Sequence, residues 1–190
     1  TRVQRRCRGQ AVAQRTAQHI PGHVLSAFQL DGRAGIPVGP EWDNGVRFGR
    51  VVVSEASDTA AWSGKARDHA GEFGAGIAVS RPVRATDGRL VVGGFKASEF
   101  VEGRVLARID EAVSAALRYD EAMAGVDAPT ADRGDAFATA ERAVWRDYTP
   151  QPDDVVAHMD FASCLLFSGD MVPTLTDLSL IHISEPTRLR

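Results

Sequence analysis

Between 35 and 103 the apolar residues fall in short runs bounded by Gly, Pro, Asn and Asp, the pattern of strands; from 109 they recur at helical spacing instead. Ahead of both, 21–30 reads as a short helix. Pro21 sits near its first position, Val24, Leu25 and Phe28 share a face, and Asp31 and Gly32 end it. Two strand-like runs come next, joined by Asn44 and Gly45, a strong hairpin signal; the second run spans 46–53 and holds Phe48 and three successive valines. Residues 60–67 read as a third strand carrying Lys65, with Asp68 and Glu72 in a short helix near 68–73. Residues 77–83 and 89–92 read as a second hairpin turning at Thr86, Asp87 and Gly88. Gly93 and Gly94 break the strand, and a last run from Phe95 ends at Gly103. Together these runs predict one antiparallel sheet over about 35–100.

The strongest helical pattern is 109–124. It places Ile109, Val113, Ala116, Leu117 and Met123 on one face, Glu111, Arg118 and Glu121 on the solvent side, and Gly125 as its stop. After a loop at 126–134, a second helix is predicted over 136–145, with Phe137, Ala140, Val144 and Trp145 to one side. The segment 155–177 then reads as strand, polar loop, strand, turn, strand. Val155 and Val156 enter, Leu165, Leu166 and Phe167 leave, Ser168, Gly169 and Asp170 turn, and Leu175 and Thr176 lead into Asp177.

Composition narrows the class without naming a function. The 190 residues are 44% hydrophobic and 25% charged, which suits a globular domain with a sizeable core. A net charge of -3 argues against a general nucleic-acid binder. Cys7 and Cys164 make no metal-binding spacing, and their scarcity suggests a reducing cytoplasm. No run is of membrane-spanning length, and the N-terminal stretch lacks the apolar core of a signal peptide, so no membrane partner is expected.

The candidate chemistry sits in the last strands. His158 and Asp160 occupy the polar loop, and Asp177 ends the final strand. Carboxylates beside short apolar strands are costly to bury unless a positive partner satisfies them. A magnesium ion carrying nucleotide phosphates is one such partner. The pattern resembles the catalytic segment of kinase-like phosphotransferases, especially the aminoglycoside phosphotransferase-like group. That resemblance implies that Asp160 is the catalytic base, that His158 supports the loop, and that Asp177 holds Mg²⁺. It also implies Mg-ATP as cofactor and a small-molecule hydroxyl as phosphoryl acceptor. One departure is plain: the Asn expected five residues after the catalytic Asp is replaced by Leu165, or by Cys164 if the apolar strand sets the register, and neither is a good Mg²⁺ ligand. The bland alternative is a β-hairpin with a His and two Asp at its turns.

The run 39–103 is similar to an actinobacterial family of uncharacterised kinase-like proteins. The resemblance rests on Gly39-Pro40-Glu41-Trp42-Asp43, Ala61-Trp62-Ser63-Gly64-Lys65, 81–89 and Phe100-Val101-Glu102-Gly103. It implies a five-stranded N-lobe, a hinge near Gly103, and Lys65 as the lysine that holds nucleotide phosphates, with Asp68 or Glu72 as its acidic partner. The glycines of 35–49 do not match a kinase glycine-rich loop.

Both ends are set apart. Thr1 to Gln18 is basic, with Arg2, Arg5, Arg6, Arg8 and Arg15, and reads as a solvated tail. Residues 178–188 resemble the translation of a sequencing-library adapter. On that reading 178–190 are read-through and the native protein continues beyond Asp177. The expected organisation is a basic tail over 1–20, an N-lobe-like sheet over 21–103, a partial C-lobe over 104–177, and the adapter-like tail. The expected fold class is α+β, a protein-kinase-like N-lobe antiparallel sheet with an incomplete, mainly helical C-lobe. The expected function is ATP-dependent phosphoryl transfer. A catalytically inactive nucleotide-binding or regulatory protein and an α+β interaction domain stand as alternatives.

Overall fold

The computed structural model describes residues 20–57, 59–70, 76–123, 126, 155–158, 161–169, 172–176 and 181–184, with backbone alone for 68–70, 155–158 and 181–184. The fold is α+β. In chain order its elements are α1 (Gly22–Ala27), β1 (Ile36–Pro37), a 3-10 turn (Pro40–Trp42), β2 (Val46–Phe48), β3 (Val51–Glu55), α2 (Ala60–Ala70) and β4 (Ala78–Val79). They continue with β5 (Val91–Val92), β6 (Phe95–Glu99), β7 (Arg104–Val105), α3 (Ile109–Met123) and β8 (Val155–His158). Last come α4 (Phe161–Cys164), β9 (Leu165–Phe167), β10 (Thr174–Leu175) and β11 (Ile181–Ser184).

The main sheet has five strands in the order β1-β2-β3-β6-β5, every neighbouring pair antiparallel. The antiparallel sheet expected over 35–100 is therefore present, but three of its parts add to or depart from the expectation. First, 46–53 is two strands rather than one. Gly49 (φ 65°) and Arg50 make a two-residue turn that pairs Val46 with Val53 and Phe48 with Val51. Second, 60–67 is helical. Ala60, Ala61, Ala66 and Ala70 favour helix, and Ala66 lies in the core with Trp62 packed against that same cluster. Third, Gly93 (φ 57°) and Gly94 (φ 81°) end the strand as expected and also turn the chain back. With positive φ at both central positions they close the β5–β6 hairpin, Val92 opposite Phe95. The turn at Thr86 to Gly88 forms, yet 77–83 does not pair with 89–92.

Instead β4 leaves for a second sheet, in the order β4-β10-β9-β7. It runs parallel to β10, and β9 pairs antiparallel with both β10 and β7. The expected strand pair leading toward Asp177 is thus present as β9 and β10.

Helix α3 closes the far face of this sheet with Met123 buried as expected, but most of the expected face is not the buried one. Ala115, Tyr119 and Met123 are buried with Leu165, Phe167 and Leu175, whereas Ile109 (74% exposed), Val113 (56%) and Leu117 (61%) face outward. Both stripes have helical spacing; the one carrying an aromatic ring buries more apolar area. The expected 136–145 helix lies outside the described residues. Within the adapter-like tail β11 pairs antiparallel with β8 over four residues, Ile181 opposite His158, as the strand propensity of 178–183 allows.

Three apolar clusters hold these layers. Val24, Phe28 and Leu30 pack with Val46, Phe48, Val53 and Ala97 on one face of the main sheet. The second sheet, α2 and α3 share another cluster. Trp42, Val52 and Leu166 form the third, which joins the opposite face of the main sheet to β9. Alternation makes this possible: Val52 and Leu166 face each other between the sheets, while Val53 and Leu165 point into the separate clusters on the outer faces.

Candidate functional site

Where those two sheets meet, the main sheet presents a polar patch. Strand register puts Val52 opposite Ser98 and Ser54 opposite Lys96, so these four side chains share one face. Trp42 and Asp43 cover it from the β1–β2 loop, and Thr176 enters from the end of β10. Next to this cleft, and sharing Ser98 and Thr176 with it, a second one is lined by Ser63, Gly64 and Arg67 of α2 together with Val79, Ser80 and Pro82.

The loop is pinned by packing. Trp42 is buried and stacks on Phe100 at 5.4 Å between ring centroids, and the Arg47 guanidinium lies 3.8 Å from the Phe100 ring. Asp43 (φ 54°) and Asn44 (φ 52°) adopt left-handed backbone, which Asp and Asn tolerate better than most residues. That geometry lets the Gly45 amide donate to the Trp42 carbonyl at 3.0 Å and aims Asp43 at the sheet.

Lys96 is 8% exposed, and its Nζ lies 2.9 Å from Asp43 Oδ2. A buried ammonium is costly without such a partner. Ser54 and Thr176 are buried beside it, and Ser80 Oγ donates to the Glu99 carbonyl at 2.6 Å. The site thus combines the buried Lys96, the partly buried Arg67, a half-exposed carboxylate and several hydroxyls, a set suited to holding an anion.

The expected site residues fare differently. Lys65 is on α2, not on a third strand; it is exposed and lines neither cleft. Asp68 lies on the same helix with its backbone alone described, and Glu72 lies outside the described residues. The backbone of His158 lies in β8, and Asp160 and Asp177 fall outside the described residues. Cys164 and Leu165, the two candidates for the Asn position, are both buried in the core. Among the described residues no three His, Cys, Asp or Glu converge to hold a metal ion, and no helix is long and apolar enough to cross a membrane.

Sequence reasoning missed Lys96, Asp43, Ser54 and Thr176. The available signal was a lysine inside the alternating run Phe95-Lys96-Ala97-Ser98, where residue 96 shares a face with Ser98. No family model matches the chain, and no curated protein matches it.

Proposed function

We propose that this chain is a kinase-like module that binds Mg-ATP between the main sheet and the β9–β10 pair. The observation that carries the reading is the position of Thr176. It lines the cleft over the main sheet and directly precedes Asp177, the residue the kinase resemblance assigns to Mg²⁺. The order of elements supports it as well: three antiparallel strands, a helix, then two more strands of the same sheet. In this reading Asp177 holds Mg²⁺ and the cleft holds the phosphates. Asp160 would accept the proton of a small-molecule hydroxyl, with His158 supporting its loop. Lys65 has no part in it, because it lies on α2 and lines neither cleft.

Burial of Cys164 and Leu165 favours binding without turnover, since neither side chain is free to serve as the second metal ligand. The test is a thermal-shift titration of the 190-residue chain with Mg-ATP, beside Asp177→Asn. Nucleotide at about 100 times Kd should stabilise the wild type by about 2.7 kcal/mol. Asp177→Asn should lose most of that gain. No shift at millimolar Mg-ATP would leave the α+β interaction domain as the reading. Release of phosphate or phosphorylation of an added alcohol would restore the catalytic version.

A further inference from the structure

The chain contains only two lysines, Lys65 and Lys96. Kinase-like sheets carry their phosphate-holding lysine at the end of a V-A-I-K run on the third strand. Here the third strand of the main sheet is β3, which reads Val51, Val52, Val53, Ser54, Glu55. The lysine position of that run holds Ser54. Directly across the ladder from Ser54, on the same face, stands Lys96. Opposed residues on one face have neighbouring Cβ atoms, so an amine rooted at 96 reaches the space that an amine rooted at 54 would fill.

We propose that Lys96 is the phosphate-binding cation of this protein, displaced by one strand from the usual position, and that the Asp43 carboxylate masks it in the structure described here. The inference rests on the nucleotide-binding reading above. Three observations carry it. Lys96 is nearly fully buried in the cleft, where an unpaired surface lysine would have no reason to be. Its neighbours Ser54, Ser98 and Thr176 offer hydroxyl donors to an anion. Its partner is a carboxylate from a loop, a group with the charge and acceptor geometry of a phosphate oxygen. With the loop seated, the two clefts leave about 10 and 20 Å³, room for a water or so apiece. Both lie far below the roughly 300 Å³ of pockets that bury a whole small ligand. Entry of a triphosphate therefore requires Asp43 to leave Lys96 and the 39–45 loop to lift.

Two measurements on the 190-residue chain test this. The first needs no variant. An ATP acyl-phosphate probe transfers its acyl group to the amine nearest the phosphates: the amine attacks the acyl carbon, an amide forms, and the nucleotide phosphate leaves with the bonding electrons. Peptide mapping should find the label on Lys96, and excess Mg-ATP should suppress it. Label on Lys65 alone, or label on Lys96 that ATP does not suppress, overturns the proposal.

The second compares Mg-ATP affinities. Lys96→Met should weaken binding about tenfold or more, as loss of a charge-assisted contact would. Lys65→Ala should leave binding unchanged. Placing the amine back on the third strand, by Ser54→Lys in the Lys96→Met background, should recover part of the loss. Asp43→Asn should tighten binding, because it removes the charge of one internal competitor. If the wild type binds nucleotide and Lys96→Met binds it equally well, Lys96 is not the cation, while the nucleotide-binding reading stands. If the wild type binds none, both fall together. Asp43→Asn that binds more weakly overturns the masking role.

Discussion

Lys96 on β6 and Asp43 in the β1–β2 loop meet at 2.9 Å, and the two partners are buried to very different degrees. The lysine side chain keeps 10% of its surface and the aspartate 42%. The two halves of the pair should therefore respond differently to removal. Asp43→Ala removes a carboxylate partner from a buried ammonium and should cost about 1–3 kcal/mol, reduced from the fully buried case because Asp43 reaches solvent. Lys96→Met replaces the charge with an apolar chain and frees Asp43 to water; it should be neutral or stabilising within about 1 kcal/mol. Urea titrations of both variants check the asymmetry. A Lys96→Met variant less stable than Asp43→Ala would contradict it.

The loop that carries Asp43 depends on close backbone approach at Gly45. A Cβ there would sit 2.6 Å from the Val53 carbonyl oxygen and 3.1 Å from that of Trp42, and backbone cannot step aside as a side chain can. Gly45→Ala should cost about 1–3 kcal/mol, as overpacking does. Gly22→Ala is the control, since nothing lies within 4 Å of its added Cβ. In helix α1 it should be neutral or gain up to about 1 kcal/mol. Equal effects of the two substitutions would mean that the loop is not seated as described.

The buried face of α3 can be read by truncation. Tyr119→Ala should cost about 3–5 kcal/mol, the usual range for a large core side chain. Leu117→Ala, on the exposed stripe, should stay within about 0.5 kcal/mol. Denaturant midpoints decide between this face and the one carrying Ile109, Val113 and Leu117.

Asp120, on the same helix, has its carboxyl pushed above the usual aspartate range by burial. The folded state therefore holds this proton more tightly than the unfolded chain. As pH rises through the unfolded value near 3.8, the unfolded chain ionises first and stability falls, until the folded carboxyl has ionised too. Asp120→Asn removes that dependence. The variant should be more stable than wild type at pH 7, and the difference should shrink toward pH 3. Melting temperatures across that range test the sign; a variant less stable at pH 7 would show that the charged carboxylate is favourably held.

Strands β8 and β11 form a two-stranded sheet of their own, with β8 lying against α3 and β11 at the outer edge of the pair. Removing 178–190 should change the stability of the remainder by less than about 1 kcal/mol. A larger loss would mark β11 as an integral strand and count against the adapter-like origin of the tail.

Much of the fold was legible in short-range pattern. The β2 and β3 valines, the alternating Phe95 to Glu99 run, and the Leu165 to Phe167 strand all announced themselves as strands. The 109–123 helix was visible from period; the turn signal at Asn44-Gly45 marked the right place, but the turn centres on Asp43 and Asn44 within a longer 38–45 connection. These features are local: each depends on residues within a few positions of one another, where propensity and spacing act. The misreading at 60–67 was also local, a place where alanine's helix preference wins, while Gly93 and Gly94 end β5 as expected and in addition turn the chain into β6.

Tertiary structure alone decided the rest. Helix α3 has two apolar stripes, and only packing against Leu165, Phe167 and Leu175 selects the one with Tyr119. Strand β4 pairs with β10 rather than with its neighbour in sequence, a choice made by long-range burial. The candidate site is of the same kind. Lys65 and Lys96 look alike as letters, but the ladder that sets Lys96 opposite Ser54 and the loop that brings Asp43 to it join residues far apart in the chain. A single sequence records which side chains carry charge; which of them loses its water and finds a partner depends on where distant strands meet.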